Sequence, residues 1–333
     1  MSRGTGLSSF SPQWAHRTID ILAYGEPLVG FYPMGEGTNA DGTIPLKTPW
    51  MATWGGDTSN LVLAASKLGL SCAYLSRIGE DPFGEGFLSL WETSGIRTDF
   101  IQKDPQHPTG LYFVSFHRGK HVLTYYRKDS AAAQIDPDSF DPSILSSIKI
   151  LHLSGISLAI SQKAREFGIA LMEAARRYGT LVSFDTNYRP ALLSREKARY
   201  LFEELIPSCV HVLATTDEEM EFLEWGKDPN ALPAKLPGPI YYLIKQGPKG
   251  VYVRSSQEEI LHPAYTVPVV DTVGAGDAFD AGFLRALLHG EPLGKAVQYA
   301  SAVAALVCTG QGPLEKQPSH QEVEAFLAQK GKQ

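Results

Sequence analysis

Cysteine is scarce in this chain: Cys72, Cys209 and Cys308 are the only three among 333 residues. Far apart and odd in number, they suit reduced thiols in a cytoplasm and argue against a disulfide framework. Basic charge is not in excess either, because 30 Lys+Arg against 36 Asp+Glu leave a net charge of −6. A nucleic-acid or anionic-membrane binder needs a basic face that releases counterions, so neither partner is expected. Any anionic ligand must then be held by a few local cations. No apolar run approaches the ~20 residues that span a bilayer. Residues 1–18, rich in Ser, Gly and polar side chains, lack the apolar stretch of a signal peptide and read as a flexible leader. The chain also lacks G-x-x-x-x-G-K-[ST], so it is not a P-loop enzyme. Gly25-Glu26-Pro27, after the first strand, is no dinucleotide fingerprint. Internal repeats and low-complexity tracts are missing as well.

What is present is a large core and a regular alternation. With 43% hydrophobic and 20% charged residues, the chain can bury an extensive interior. Short β-like runs at 19–24, 72–76, 150–153, 181–184, 210–213 and 241–245 alternate with helical stretches at 58–68, 84–94, 162–178, 196–206 and 217–223. Several of the runs are continuously apolar, as in a parallel sheet with helices on both faces. The order predicts an α/β, doubly wound, mostly parallel sheet with right-handed crossovers. Segments 31–50 and 109–128 break the rhythm: the first is rich in Gly and Pro, the second reads as two strands joined at Arg118-Gly119-Lys120. Both are expected in a small β-structured lid on a single domain over 19–333. Helices at 277–289, 292–309 and 321–329 close the chain, with Pro292 in a first turn.

The most informative stretch is Asp271-Thr272-Val273-Gly274-Ala275-Gly276-Asp277-Ala278-Phe279. A β-rich run at 265–270 leads into small residues and then into a helix. Small residues let backbone amides approach a ligand, and the helix N-terminus adds partial positive charge, which together make a seat for phosphate. Asp277 in the first turn is placed to take a proton from a hydroxyl aimed at that phosphate. An ordinary Gly-rich turn with a capping Asp would explain a bare G-x-G-D equally well; the flanking Asp-Thr and Ala-Phe-x-Ala-Gly tell against it.

This stretch resembles the C-terminal signature of the ribokinase-like (pfkB-type) carbohydrate kinases, D-T-x-G-A-G-D. Gly55-Gly56-Asp57-Thr58-Ser59-Asn60, followed by Arg77-Ile78-Gly79-Glu80-Asp81-Pro82-Phe83-Gly84, resembles the N-terminal one. The resemblance runs from Ile19 to about Gly312. It implies the ribokinase-like fold, ATP and Mg²⁺ as cofactors, and leaves a monovalent cation such as K⁺ open. It further implies Asp277 as general base, Gly274, Ala275 and Gly276 as anion hole, and Gly56 and Asn60 at the sugar. Lys245-Gln246-Gly247-Pro248-Lys249-Gly250 matches a K-x-G-x-x-G turn that borders ATP in that family. Taken by itself, the turn also reads as a hairpin with surface lysines. By the same resemblance Lys245, Gly247, Lys249, Gly250, Asn187 and Thr216 are ATP-side residues. The family has Asn-x-x-Glu where this chain has Thr216-Asp217-Glu218-Glu219, locally a capping box. Thr216 departs from the pattern, so Glu219 alone carries over, toward Mg²⁺ through water. Ser301 stands where many relatives place an Asn near adenine. The resemblance also implies a homo-oligomer paired through the lid.

The arginines bear on the sugar. A carboxylate is matched bidentately by Arg, whereas a neutral hexose needs no fixed cation. Tyr125-Tyr126-Arg127-Lys128 and Asp185-Thr186-Asn187-Tyr188-Arg189-Pro190 supply candidates, the second beyond the carboxyl end of a strand where ligands of such sheets sit. Either Arg alone would read as a solvated surface residue. With Gly110-Leu111-Tyr112 and Leu153-Ser154-Gly155-Ile156-Ser157, they resemble the 2-keto-3-deoxygluconate kinase subgroup. That resemblance implies Tyr112, Tyr125, Arg127 and Arg189 on a keto-deoxy sugar acid, phosphorylated by ATP at its terminal hydroxyl. A fructokinase, a 5-dehydro-2-deoxygluconokinase and, in another class, a non-catalytic sugar-binding sensor are the alternatives. His117 and His121 read as surface residues of the lid, and Trp50, Trp54, Trp91 and Trp225 as packing residues, with Trp54 a candidate to face the sugar.

Overall fold

A computed structural model describes residues 14–34, 39, 43–117 and 120–331, the side chains of 116, 117, 120 and 121 excepted. Strands β1 (Ile19–Tyr24), β2 (Leu28–Pro33) and β3 (Trp50–Gly55) precede helix α1 (Asp57–Lys67) and strand β4 (Cys72–Gly79). Helix α2 (Pro82–Thr93), strand β5 (Arg97–Asp104) and the pair β6 (Gly110–His117) and β7 (Lys120–Tyr126) follow. The middle of the chain forms β8 (Ile148–Ser154), α3 (Gly155–Ala159), α4 (Gln162–Arg177) and β9 (Leu181–Asp185). It continues through α5 (Arg195–Tyr200), β10 (Val212–Thr216), α6 (Asp217–Phe222), α7 (Leu232–Lys235) and β11 (Tyr241–Lys245). Strands β12 (Val251–Arg254) and β13 (Glu259–His262) lead to α8 (Ala275–Leu288), α9 (Leu293–Val307) and α10 (His320–Lys330).

Nine strands form one sheet in the order β13-β12-β11-β10-β9-β8-β1-β4-β5. All neighbours are parallel except at β12 and β13, which run antiparallel at one edge. Central strand β1 shows why its sequence is apolar throughout. Ile21 and Ala23 enter one core, shared with α1, α2, α8 and α9, while Leu22 and Tyr24 enter the other, shared with α4. Each face is therefore covered by helices, as the continuous apolar runs require. Helix α4 illustrates the local code. Ser161 caps it by accepting from the Ala164 amide, and Ala164, Phe167, Leu171, Met172 and Ala175 form its buried stripe.

The second sheet has four strands in the order β3-β2-β6-β7. Here β2 and β6 are parallel, and the outer pairs antiparallel. Strands β2 and β3 begin before residue 31 and end past residue 50, whereas β6 and β7 lie within the expected 109–128. The Gly and Pro content of 31–50 belongs to the connection between β2 and β3. Residues 1–13 of the expected leader, residues 35–38 and 40–42, and the Arg118-Gly119 turn lie outside the described residues, as do the side chains of His117 and His121.

Three local expectations are corrected. Residues 265–270 form no strand; Val269 and Val270 are exposed, and the Val270 amide donates to the Cys308 carbonyl instead of to a ladder. Pro292 is the N-cap of α9, one position before its first turn. The helix expected over 196–206 changes to a π-helical turn at Leu201–Leu205.

Helix α1 is seated by Trp91 of α2, which is fully buried, donates from Nε1 to Ser59 Oγ at 3.0 Å and stacks on Phe87 at 5.1 Å. Trp91→Ala empties that seat and removes the bond, so a loss of about 3–5 kcal/mol is expected. The urea midpoint of unfolding measures it.

Candidate active site

Strands β1, β8, β9, β10 and β11 run in parallel, so their carboxyl ends open on one edge of the sheet. Glu26, Asp185, Thr216 and Lys245 all stand at those ends, where open α/β sheets bind ligands. Two helices deliver the remaining groups. Helix α8 starts at Gly274, whose φ of 79° lies in the left-handed region; a Cβ there would also come 2.5 Å from Pro313. Helix α1 starts after Gly56, with φ of 103°, where a Cβ would strike the Glu26 carbonyl. Glycine at both places lets a helix begin directly against neighbouring backbone.

Asp277 lies in the first turn of α8, and its Oδ2 accepts from Asn60 Nδ2 at 2.8 Å. Burial first, then the nearby Asp57 charge, push its carboxyl up to about 7, against the lowering effect of the Asn60 bond. The site thus contains a half-buried carboxyl poised near neutrality beside a helix N-terminus. The first amides of a helix have no partner within it. The amide of Ala275 nonetheless turns to the Thr272 carbonyl at 3.2 Å, which removes that residue's N–H from the expected anion hole. Gly274 and Gly276 remain as its backbone.

Around Asp277 the structure gathers charges, among which Asp57, Asp185 and Asp280 had no role assigned from the sequence. Asp57 accepts from its neighbour Thr58's amide at 2.8 Å and from Asn187 Nδ2 at 3.0 Å. Asn187 reaches it by adopting a positive φ of 33°. Lys245 Nζ lies 2.7 Å from Asp185 and 3.2 Å from Asp280, both buried. The opposing carboxylates hold Lys245 above the ordinary lysine range despite burial, and its ammonium charge holds Asp185 below the usual carboxylate range.

Glu219 is a hub of the backbone. Its Oε1 accepts from the Tyr188 amide at 2.7 Å, and its Oε2 from the Thr186 hydroxyl at 2.5 Å and the Thr215 hydroxyl at 3.0 Å. Thr216 accepts from the Glu219 amide at 3.1 Å, completing the capping box. The hydroxyl of Thr216 is thus committed to starting α6, and Glu219 has little freedom to ligate a metal directly. Among the described residues no three His, Cys, Asp or Glu side chains converge as a metal cage. This donor set fits a divalent ion that arrives on a nucleotide with its own water shell, since Mg²⁺ dehydrates reluctantly.

On the other side, Arg127 is not an open cation. It is buried in an ion pair with the Glu26 carboxylate, which also accepts from Ser130 Oγ at 2.6 Å. Its Nε has no partner, and its guanidinium lies 5.5 Å from the centre of the Tyr125 ring. Tyr125 pairs across the sheet with Tyr112 at 5.9 Å between rings, and Tyr112 meets the Tyr32 hydroxyl at 3.4 Å. Arg189 is half exposed; its Nη1 donates to the Tyr188 carbonyl and lies 3.9 Å from Glu219. Each arginine thus has its own carboxylate, Glu26 or Glu219, rather than both facing one open anion pocket.

The expected nucleotide turn is a 3₁₀ turn at Gly247–Lys249 between β11 and β12, closed by Gly250. Lys249 points outward, 3.3 Å from Asp217. Trp54 lies against Phe87, and Trp91 and Trp225 are core residues. A separate groove of about 670 Å³ at β5, lined by Arg77, Phe100 and Phe140 among others, shares no residue with this site.

The chain is 33% identical over 97% of its length to a 2-dehydro-3-deoxygluconokinase of Thermoproteus tenax, covering 98% of that protein. It is 30% identical over 92% of its length to a probable fructokinase of Arabidopsis thaliana, 96% of which is covered. Among solved structures, an uncharacterized sugar kinase from Pyrococcus horikoshii in complex with ATP superposes with a TM-score of 0.79, at 27% identity over 91% of this chain and 96% of that one. The pfkB family carbohydrate kinase pattern matches residues 19–320. The ribokinase-like fold and the two signatures it carries make this chain a member of the pfkB family of carbohydrate kinases.

Proposed function

We propose that the protein transfers the γ-phosphoryl group of ATP to the terminal hydroxyl of a keto-deoxy sugar acid, turning 2-keto-3-deoxygluconate into its 6-phosphate. The observation that carries this reading is the Asp277 carboxyl, held by Asn60 in the first turn of α8 and poised near pH 7. In this reading Asp277 orients the sugar hydroxyl and accepts its proton. The hydroxyl oxygen forms the new bond to the γ-phosphorus as the bond to the β–γ bridging oxygen breaks and ADP leaves. The Gly274 and Gly276 backbone and the helix end offset the charge that develops on the phosphoryl oxygens. Magnesium, when bound, would neutralise phosphate charge, and Glu219 would be the residue to hold it, through water. Lys245, Asn187 and the Gly247–Lys249 turn border the nucleotide.

The four-stranded sheet acts as a lid that excludes water, which would otherwise accept the phosphoryl group. Its outer strands, β3 and β7, have no further strand beside them among the described residues, and β7 exposes Val122, Leu123 and Tyr126. Those edges support pairing of two subunits through the lid. Among the described residues no helix is long and apolar enough to cross a membrane, and the cysteines are free, in keeping with a cytoplasmic enzyme.

For the acid, Arg189 is the more available cation, with Tyr112 and Tyr125 along the carbon chain. Arg127 holds Glu26 and reaches the substrate with its remaining nitrogens. One feature favours a second reading: Glu26 neutralises Arg127, and a neutral ketose needs no free cation, as in the fructokinase relative. ADP release measured with keto-deoxygluconate, keto-deoxygalactonate and fructose separates the two, since the sugar-acid reading requires a large preference for the carboxylates.

Four outcomes are expected. Asp277→Asn folds and binds both ligands but loses about 10²–10⁴-fold in kcat, the usual contribution of a positioned base; near-normal turnover would remove it from that role. Below a pH of about 7, kcat/KM of the wild type falls tenfold per unit, because a protonated Asp277 accepts nothing. Arg189→Ala raises KM for the sugar acid and spares ATP. Arg127→Leu, by contrast, strands the Glu26 charge in the interior and costs about 3–5 kcal/mol of stability, read from the melting curve.

A further inference from the structure

Behind the first turn of α8 lies a cluster in which Lys245 borders the proposed nucleotide site while Asp185 and Asp280 have been given no part in the reaction. Asp185 closes β9, Lys245 closes β11 and Asp280 lies one turn beyond Asp277. Asp280 is 2% exposed, and its Oδ1 has no hydrogen-bond partner when the carboxyl is counted as an acceptor only. Its Oδ2 is on Lys245, and the carboxyl also lies within hydrogen-bonding reach of Asp185. Two ionised carboxylates side by side in the interior, shared by one ammonium, would leave a net negative charge directly behind a seat for phosphate. A proton on Asp280 removes both problems: the carboxyl gains a donor within reach of Asp185, and the cluster is neutral. Burial and the Asp185 charge push Asp280 well above the carboxylate range, in the same direction.

Lys245 is the second half of the argument. Two of its three N–H groups serve Asp185 and Asp280. The side chain is 13% exposed, and Nζ lies 3.4 Å from where a Cβ on Gly276 would stand. Its third N–H therefore has room beneath the Gly276 backbone, at the seat assigned to the transferred phosphoryl group.

We propose that Asp185 and a protonated Asp280 are positioning residues that fix Lys245 as a cation for the γ-phosphoryl group, rather than for the α- and β-phosphates or the ribose. This rests on the phosphoryl-transfer reading and adds the residues that let a negatively charged interior accept a nucleotide triphosphate. The charged and titratable groups that bear on the cluster are Asp57 from α1, His152 from β8, Glu219 from α6 and Asp277 from α8 itself.

The test reads nucleotide discrimination without turnover. Calorimetry with Mg²⁺ compares ADP with the non-hydrolysable triphosphate AMPPNP in the absence of sugar. Lys245→Met should weaken AMPPNP by about 10-fold or more, as for a lost hydrogen bond to a charged group, and ADP by less than about threefold. Equal weakening of the two nucleotides overturns the proposal. Asp280→Asn keeps a neutral donor toward Asp185, so kcat should stay within about threefold of wild type, while Asp280→Leu lowers it about tenfold or more with KM for the sugar unchanged. Equal damage by Asn and Leu overturns the protonated role, and this pair decides the matter should Lys245→Met fail to fold. Removing Lys245 should also move the acid limb of the kcat/KM profile to higher pH, because its charge lowers Asp277; an unmoved limb counts against it. If the wild type releases no ADP with any sugar, the phosphoryl-transfer reading fails, and the calorimetric comparison still decides the present one.

Discussion

The bond between Asn60 and Asp277 joins two residues far apart in sequence and fixes the position of the carboxyl on which the proposed chemistry turns. It exists because α1 and α8 pack side by side in the same core, and each begins at a glycine that tolerates the crowding. Asn60 is itself held: its carbonyl accepts from Gln317 Nε2 and its amide donates to Gly56. A carboxyl in this setting is costly to ionise, and that cost is what suits it to the proposed role of a base near neutral pH.

The same economy of charge runs through the site. Each acidic group near Asp277 has an answering group: Asn187 for Asp57, Arg127 for Glu26, Lys245 for Asp185, and backbone amides with hydroxyls for Glu219. In a chain with net charge −6 the negative charge at the cleft is thus answered locally, and the free partial charge left over belongs to a helix N-terminus, which suits the polyanion of the proposed reaction.

Much of this was legible in the sequence. The continuous apolar runs of β1, β8, β9 and β11 announce a sheet covered on both faces, and the Gly274-Ala275-Gly276-Asp277 run announces a tight turn into a helix. The residues that were not legible are those whose role depends on partners distant in sequence. Glu26 follows a strand end and Asp280 sits inside an apolar helix, yet nothing local says that one meets Arg127 and the other Lys245. Arg127 and Arg189 read as a matched pair because both are cations near tyrosines; the fold gives each a separate carboxylate. The run at 265–270 has strand-like residues, but it passes outside the ladder, where periodicity has no bearing. Boundaries of the second sheet were blurred because glycine and proline mark the connection while the strands themselves, Leu28–Pro33 and Trp50–Gly55, lie at its margins.

The placement of β2 and β3 has a mechanical consequence. The pair leaves the main sheet just after Glu26 and returns at Gly55, immediately ahead of the helix that carries Asn60. Both ends of this excursion are thus anchored to groups that touch the reaction centre. A tilt of the small sheet would therefore act as torque on those two anchors, and through the second of them on the bond from Asn60 to Asp277, with no separate signalling element between.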